Sequence, residues 1–206
     1  MSKKECEAEY EACRRRRLLR RLCLVVVFLI ILVLLAILIV WLVLRPTKPQ
    51  FYLQDARVLG FNLSAPNLLS STIQVTISSR NPNSNIGIYY DRLDVYAAYK
   101  DQQITPAFSL LPLYQGHKDI DVWSPYLSGS FVPIAPFLCS SLAQDEASGF
   151  LFLYVKIDGR LRWKVGDWTS GGYHIFVDCP AFLAFDNKSG APVIRFQHMA
   201  SCSVDV

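Results

Sequence analysis

Ser71-Thr72-Ile73-Gln74-Val75-Thr76-Ile77-Ser78 places Ile73, Val75 and Ile77 on one side of an extended chain and Gln74, Thr76 and Ser78 on the other. Successive side chains of a strand point to opposite faces, so this period of two marks a strand with one face in a core and one in water. Outward from it, Leu93-Val95-Ala97-Tyr99, Ile120-Val122, Ile175-Val177-Cys179 and Cys202-Val204-Val206 repeat the pattern. Turn formers separate the runs: Asn81-Pro82-Asn83, Asp101-Gln102, Pro112, Ser128-Gly129, Asp158-Gly159, Thr169 to Gly172 and Asn187 to Gly190. Many short strands punctuated this often predict a mainly β fold, a sandwich, and argue against alternating βαβ units. One short helix is expected at Ala135 to Ser148, APFLCSSLAQDEAS, with Pro136 near its start and Gly149 just past its end.

Val155 to Val165, VKIDGRLRWKV, contains an Asp-Gly pair that invites a two-residue hairpin. That hairpin would set Ile157 against Arg160 and Val155 against Arg162, placing apolar residues opposite charged ones on one face. Val155, Ile157, Leu161, Trp163 and Val165 instead share one parity. Either a three-residue loop closes the turn, or one long strand runs through with Gly159 as a bulge or bend.

Leu22 to Leu44, LCLVVVFLIILVLLAILIVWLVL, holds no charged residue, Gly or Pro. At about 1.5 Å per residue it makes a helix about 35 Å long, enough for a hydrocarbon core of about 30 Å. Of the 206 residues, 21 precede this stretch and 162 follow it. The expected organisation is a tail at 1–21, a transmembrane signal-anchor helix at 22–44, a stiff Pro-bounded stalk at 45–50 and a sandwich domain at 51–206. The tail carries eight basic and four acidic residues, which accounts for the whole net charge of +4. Thirteen Lys and Arg balance thirteen Asp and Glu in the remainder, so there is no basic footprint for nucleic acid on the large domain. Arg14 to Arg17, Arg20 and Arg21 against the span predict a cytoplasmic N-terminus, attraction to anionic lipid, and an external domain. The acidic stretch ECEAEYE before the arginines is too short to fold alone and is expected to be mobile.

Cys13 and Cys23 flank the arginines at a depth where palmitoylation occurs, with plain reduced thiols as the alternative. Beyond the span lie Cys139, Cys179 and Cys202, an odd number. Cys179 and Cys202 fall on the apolar parity of their strands and are expected to pair, two buried free thiols being the alternative. Asn62-Leu63-Ser64 and Asn187-Lys188-Ser189 are glycosylation acceptors if the domain is external. Candidate chemistry is sparse. His117, His174 and His198 lack partners at metal-ligand spacing. Asp119 and Asp121 could hold a divalent ion in a Golgi-type glycosyltransferase, but they read better as a solvated strand face. No catalytic, cofactor-binding or metal residue is expected.

Arg80-Asn81-Pro82-Asn83 followed by Ile86-Gly87-Ile88-Tyr89-Tyr90-Asp91 resembles plant NDR1/HIN1-like (non-race-specific disease resistance and harpin-induced) proteins. The resemblance continues through Tyr114-Gln115-Gly116-His117-Lys118, Asp158-Gly159-Arg160-Leu161-Arg162-Trp163-Lys164-Val165-Gly166 and Val177-Asp178-Cys179. It implies a late-embryogenesis-abundant group 2 domain with an immunoglobulin-like or fibronectin-III-like sandwich, a plasma-membrane or plasmodesmal address, and a role in defence or stress. Some relatives end in a lipid-anchor signal; FQHMASCSVDV has no apolar run for one. Asn81-Pro82-Asn83 reads physically as a strand terminator. The expected function is a noncatalytic interaction module with an unidentified protein or cell-wall partner. The alternatives are a structural tether between membrane and wall, or the glycosyltransferase.

Overall fold

The structure, a computed structural model, describes residues 3–43, 46–64, 66–186 and 193–206. The Asn187 acceptor therefore lies outside the described residues. The chain divides into two compact units, Met1–Arg45 and Pro46–Val206.

The first unit is a single helix, α1 (Lys3–Val43), of 41 residues. The expectation of a mobile tail gives way to a helix that includes the acidic stretch. Nucleation is the costly step of helix formation, and the apolar segment that follows supplies the nucleus onto which the tail propagates. Within α1, Leu19–Leu38 is long and apolar enough to cross a membrane.

The second unit is built of antiparallel strands. Its first half holds β1 (Gln50–Ser64), β2 (Leu68–Arg80), β3 (Gly87–Tyr99), β4 (Gln102–Gln103), β5 (Phe108–Leu110), β6 (Leu113–Gln115), β7 (Ile120–Trp123) and β8 (Tyr126–Pro133). After α2 (Pro136–Ser148) come β9 (Phe150–Val165), β10 (Trp168–Thr169), β11 (Tyr173–Asp186), β12 (Val193–Phe196), β13 (Ala200–Ser201) and β14 (Ser203–Asp205). One sheet is centred on β3, β9 and β11, and the other on β1 and β2 with β7 and β8. β12 pairs with β11 on one side and with β1 on the other, so the ladder passes unbroken from sheet to sheet. The inner faces form the core. Leu53, Ile73, Val75, Ile77 and Leu127 come from the second sheet, and Leu93, Val95, Val155, Ile157, Leu161, Ile175 and Val177 from the first. All twelve are at most 2% exposed, the alternation of Ser71 to Ser78 carried through both layers. The fold is a mainly β sandwich preceded by an apolar helix, with one further short helix.

Of the two readings of Val155 to Val165, the long strand is the one adopted: β9 passes straight through Asp158-Gly159. Gly159 is not itself the bulge. It pairs with Leu93 on β3 and Ile175 on β11. The irregularity sits across the ladder, where Tyr90 pairs with Leu161 and Arg92 with Arg160, leaving Asp91 as the extra residue. Gly159 is required for a different reason. A Cβ there would overlap the Arg92 carbonyl oxygen and stand 2.7 Å from Leu93 Cδ2.

β7 corrects a second expectation. Ile120 and Val122 do not face the core; they are 56% and 53% exposed, while Asp121 and Trp123 point inward and are half-buried. Parity alone cannot choose a face when both carry an apolar residue. Trp123 decides it by packing edge-on against the buried Tyr90 ring at 6.0 Å. Helix α2 begins with Pro136 in its first turn and ends at Gly149 in the left-handed conformation (φ 82°), with Leu138 and Leu142 buried. Tyr99 Oη donates to Asp145 Oδ2 at 2.6 Å, tying the helix to β3.

Candidate functional site

Because odd-numbered residues of β9 fill the core, its even-numbered residues Lys156, Asp158, Arg160, Arg162 and Lys164 face outward. Register aligns them with outward residues of both neighbours. Arg92, Arg160 and His174 lie directly opposite one another across three strands, and Asp94, Asp158 and Phe176 form the adjacent row. The bulge at Asp91 produces this alignment, since it shifts β3 by one residue between Tyr90 and Arg92 and keeps Asp91 on the outer surface, where it meets Arg162. A groove of about 500 Å³ runs over these rows, lined by Asp91, Arg92, Asp94, Asp158, Gly159, Arg160 and His174.

Like charges placed directly opposite destabilise a sheet, and here both rows do so, Arg92 against Arg160 and Asp94 against Asp158. Compensation runs along the strands and diagonally. Arg92 Nε bonds Asp94 Oδ2 at 2.7 Å, and His174 Nδ1 stands 3.7 Å from Asp158 Oδ1. Burial pushes the Asp94 carboxyl up, but bonds from Arg92 and Ser109 outweigh it and hold the carboxyl below its ordinary range. Arg162 grips Asp91 through two bonds of 2.6 and 2.8 Å. Arg160 has no carboxylate partner among the described residues. His174 stacks on Phe176 with ring centroids 5.4 Å apart, and Phe176 is 50% exposed. Farther along the same face Lys164 Nζ lies 5.4 Å from the Tyr89 ring centroid and 5.5 Å from that of Tyr114. Tyr89 and Asp91, Tyr114, and Arg160, Arg162 and Lys164, drawn from three of the segments that carry the family resemblance, thus share one surface.

At the end of the domain where the chain enters, Asn81 is fully buried. Its Nδ2 donates to the carbonyls of Ile86 at 2.7 Å and Gly116 at 2.9 Å. Its Oδ1 accepts from Asn83 N at 3.0 Å and Asn83 Nδ2 at 2.9 Å. Asn83 in turn accepts from Thr47 N and donates to Thr47 O, both at 2.8 Å. The motif therefore ends β2 and also ties together three distant segments. Thr47 and the buried Pro49, read from the sequence as stalk, are held in this end of the domain.

Beside this knot, Asp121 Oδ2 is buried without a hydrogen-bond partner. Burial, and then the charge of Asp119, push the Asp121 carboxyl above its ordinary range. Between its unfolded and folded acidity constants the native state holds more protons than the unfolded chain, so this group's contribution to stability falls as pH rises through that window. Asp121→Asn is expected to stabilise the domain by about 1 kcal/mol at neutral pH, the gain vanishing below pH 4. Urea midpoints at pH 3.5 and 7 check it.

Among the described residues no group of three or more His, Cys, Asp or Glu could hold a metal ion. His117, His174 and His198 lie apart, on the β6–β7 connection, on β11 and on the segment before β13. Asn62 is exposed on β1 near its hairpin with β2. Cys13 is within α1, where Cys23 is exposed. Cys139 is a free thiol whose Sγ lies 3.3 Å from Asn67 Oδ1. Cys179 and Cys202 form a disulfide closing 23 residues of chain. In the loop-entropy account that closure is worth about 3 kcal/mol, so Cys179→Ala/Cys202→Ala is expected to lower the urea midpoint by the equivalent amount, read against the oxidised protein.

The outward face was legible only as separate fragments. The one local signal was the run of charges at alternate positions of β9; the rows themselves depend on pairing among three strands distant in sequence.

A sequence model of the family described as Late embryogenesis abundant protein matches residues 76–179, which takes in the Asn81 knot, all of β3 and β9, and β11 as far as the disulfide. The chain is 50% identical to NDR1/HIN1-like protein 1 of Arabidopsis thaliana over 210 residues, covering 98% of this chain and 100% of that protein. It is 50% identical to NDR1/HIN1-like protein 12 of the same plant over 191 residues, covering 90% and 91%. Against NDR1/HIN1-like protein 26 the identity is 40% over 172 residues, covering 82% and 81%.

Proposed function

The chain belongs to the NDR1/HIN1-like family, and from that premise we propose that it is a single-pass plasma-membrane protein whose external sandwich recognises a partner without catalysis. Membership fits a role in plant defence or stress. In this reading α1 is the anchor, the arginines hold its N-terminus in the cytosol against anionic lipid, and Cys13 and Cys23 are available for acylation. Asn62 and Asn187 then face the glycosylating compartment, the former on exposed surface.

The observation that carries the reading is the outer face of β3, β9 and β11. Its facing rows of like charge cost stability, and a surface arranged against its own stability points to an interaction that uses it. Two measurements test this. Protease added to intact protoplasts should digest the domain and leave the tail; protection until permeabilisation would overturn the topology. Arg92→Glu/Arg160→Glu should abolish the defence or stress output of the expressed chain at unchanged abundance. A structural tether would keep its output with that face reversed.

A further inference from the structure

We propose that the groove across β3, β9 and β11 binds an acidic oligosaccharide of the uronate type; this rests on the recognition reading above and names its ligand class. The groove's volume, about 500 Å³, falls within the range of small-ligand sites. β9 is an interior strand whose backbone pairs with β3 on one side and β11 on the other, so it offers no free edge for a peptide strand to join. Recognition here must come from side chains. Neighbouring strands lie about 4.8 Å apart, so the row Arg92, Arg160, His174 extends about 10 Å, and the row Asp94, Asp158, Phe176 runs parallel to it about 7 Å away.

These two rows want different things from one ligand. Guanidinium groups take a carboxylate through paired bonds, and Arg160 enters with no acidic partner among the described residues. The carboxylate oxygens of Asp94 and Asp158 face the groove as acceptors for hydrogen bonds from hydroxyl groups. The Phe176 ring, half exposed and stacked on His174, offers apolar surface beside the groove for the C–H face of a pyranose. A uronate unit carries all three features in one ring: a single carboxylate, several hydroxyl donors and an apolar face. Inorganic phosphate or sulfate satisfies only the arginines and is repelled by the adjoining carboxylates. A neutral sugar leaves Arg160 unanswered.

The test uses the full chain in nanodiscs of zwitterionic lipid, with trigalacturonate as probe and its methyl ester as the neutral analogue, followed by calorimetry. Trigalacturonate is expected to bind saturably and to weaken with added salt, and the methyl ester to bind at least about tenfold more weakly, as for loss of a charge-assisted bond. Arg160→Gln and Asp158→Asn should each weaken the acid form by at least about tenfold, while Lys118→Gln, off this face, leaves it unchanged. Thermal midpoints of the variants near wild type exclude unfolding as the cause. Absence of binding, equal binding of ester and acid, indifference to Arg160→Gln, or displacement by sulfate at equal concentration would each overturn the ligand class. The two readings fail separately. The nanodisc measurement does not depend on cellular topology, so a cytosolic domain would remove the recognition reading and leave the groove's chemistry standing. If trigalacturonate does not bind but Arg92→Glu/Arg160→Glu still abolishes output, the ligand class falls and recognition stands.

Discussion

Gly159→Ala is expected to cost the domain at least about 3 kcal/mol, a large share of the roughly 5–15 kcal/mol that holds a domain folded. The added methyl has nowhere to go. On one side it meets the Arg92 carbonyl oxygen, and 2.7 Å away is Leu93 Cδ2, at most 1% exposed in the core. The first of these is backbone of a paired strand, so relief requires β3 to move away from β9, which breaks ladder bonds beside the bulge at Asp91. A flexible side chain could have swung aside; a carbonyl in a ladder cannot. Gly171→Ala is the control, because a Cβ at that position meets nothing within 4 Å, and its effect should stay within about 0.5 kcal/mol. Urea unfolding followed by tryptophan fluorescence compares the two. A Gly159→Ala midpoint equal to that of Gly171→Ala would mean that β3 and β9 are not in this register.

Asn81→Ala should cost about 4 kcal/mol. Its amide makes four hydrogen bonds around a fully buried side chain, and truncation strands two carbonyls, one backbone N–H and one N–H of the Asn83 amide, whose other N–H keeps Thr47 O, with each buried orphan costing about 1–3 kcal/mol. Asn81→Asp separates shape from chemistry. It preserves the volume but turns two donors into acceptors aimed at the carbonyls of Ile86 and Gly116, so at neutral pH it should be no better than alanine. Acidification that protonates the new carboxyl restores one donor, and the Asp variant should then gain on the Ala variant. If the two variants keep a constant difference from pH 7 to pH 3.5, the donors are not what the site needs.

Legibility in the sequence followed the range of the interactions. Strand parity is local, so Ile73, Val75 and Ile77 in β2 and the shared face of Val155 to Val165 in β9 were legible, whereas the choice between a turn at Asp158-Gly159 and a strand running through it was left open. Helix punctuation is local too, and Pro136 and Gly149 bound α2 where they were expected to. β7 was not legible, because Ile120 and Val122 are as apolar as Trp123 and only the ring of Tyr90, from another strand, tells which face is inside. Asn81 was visible as the end of a strand, but its partner Gly116 lies 35 residues away, and nothing near Asn81 announces it. The groove was hidden for the same reason. It is made by register, and register between β3, β9 and β11 is settled by core packing on the opposite side of the sheet from the charges it aligns.

The two bonds between Thr47 and Asn83 have a mechanical meaning. Chain arriving from the N-terminal side is gripped at Thr47 through both its N–H and its carbonyl by a single side-chain amide. Both bonds end on one side-chain amide, so releasing Thr47 from Asn83 takes the loss of the pair, whereas a strand peeled from its edge surrenders one bond at a time. Asn83 is seated by Asn81, and so a tug on the leader is delivered to the buried junction of β2, β3 and β6 before it reaches the first pairing of β1. Asn83 is in effect a strain-relief clamp, and β1 begins behind it.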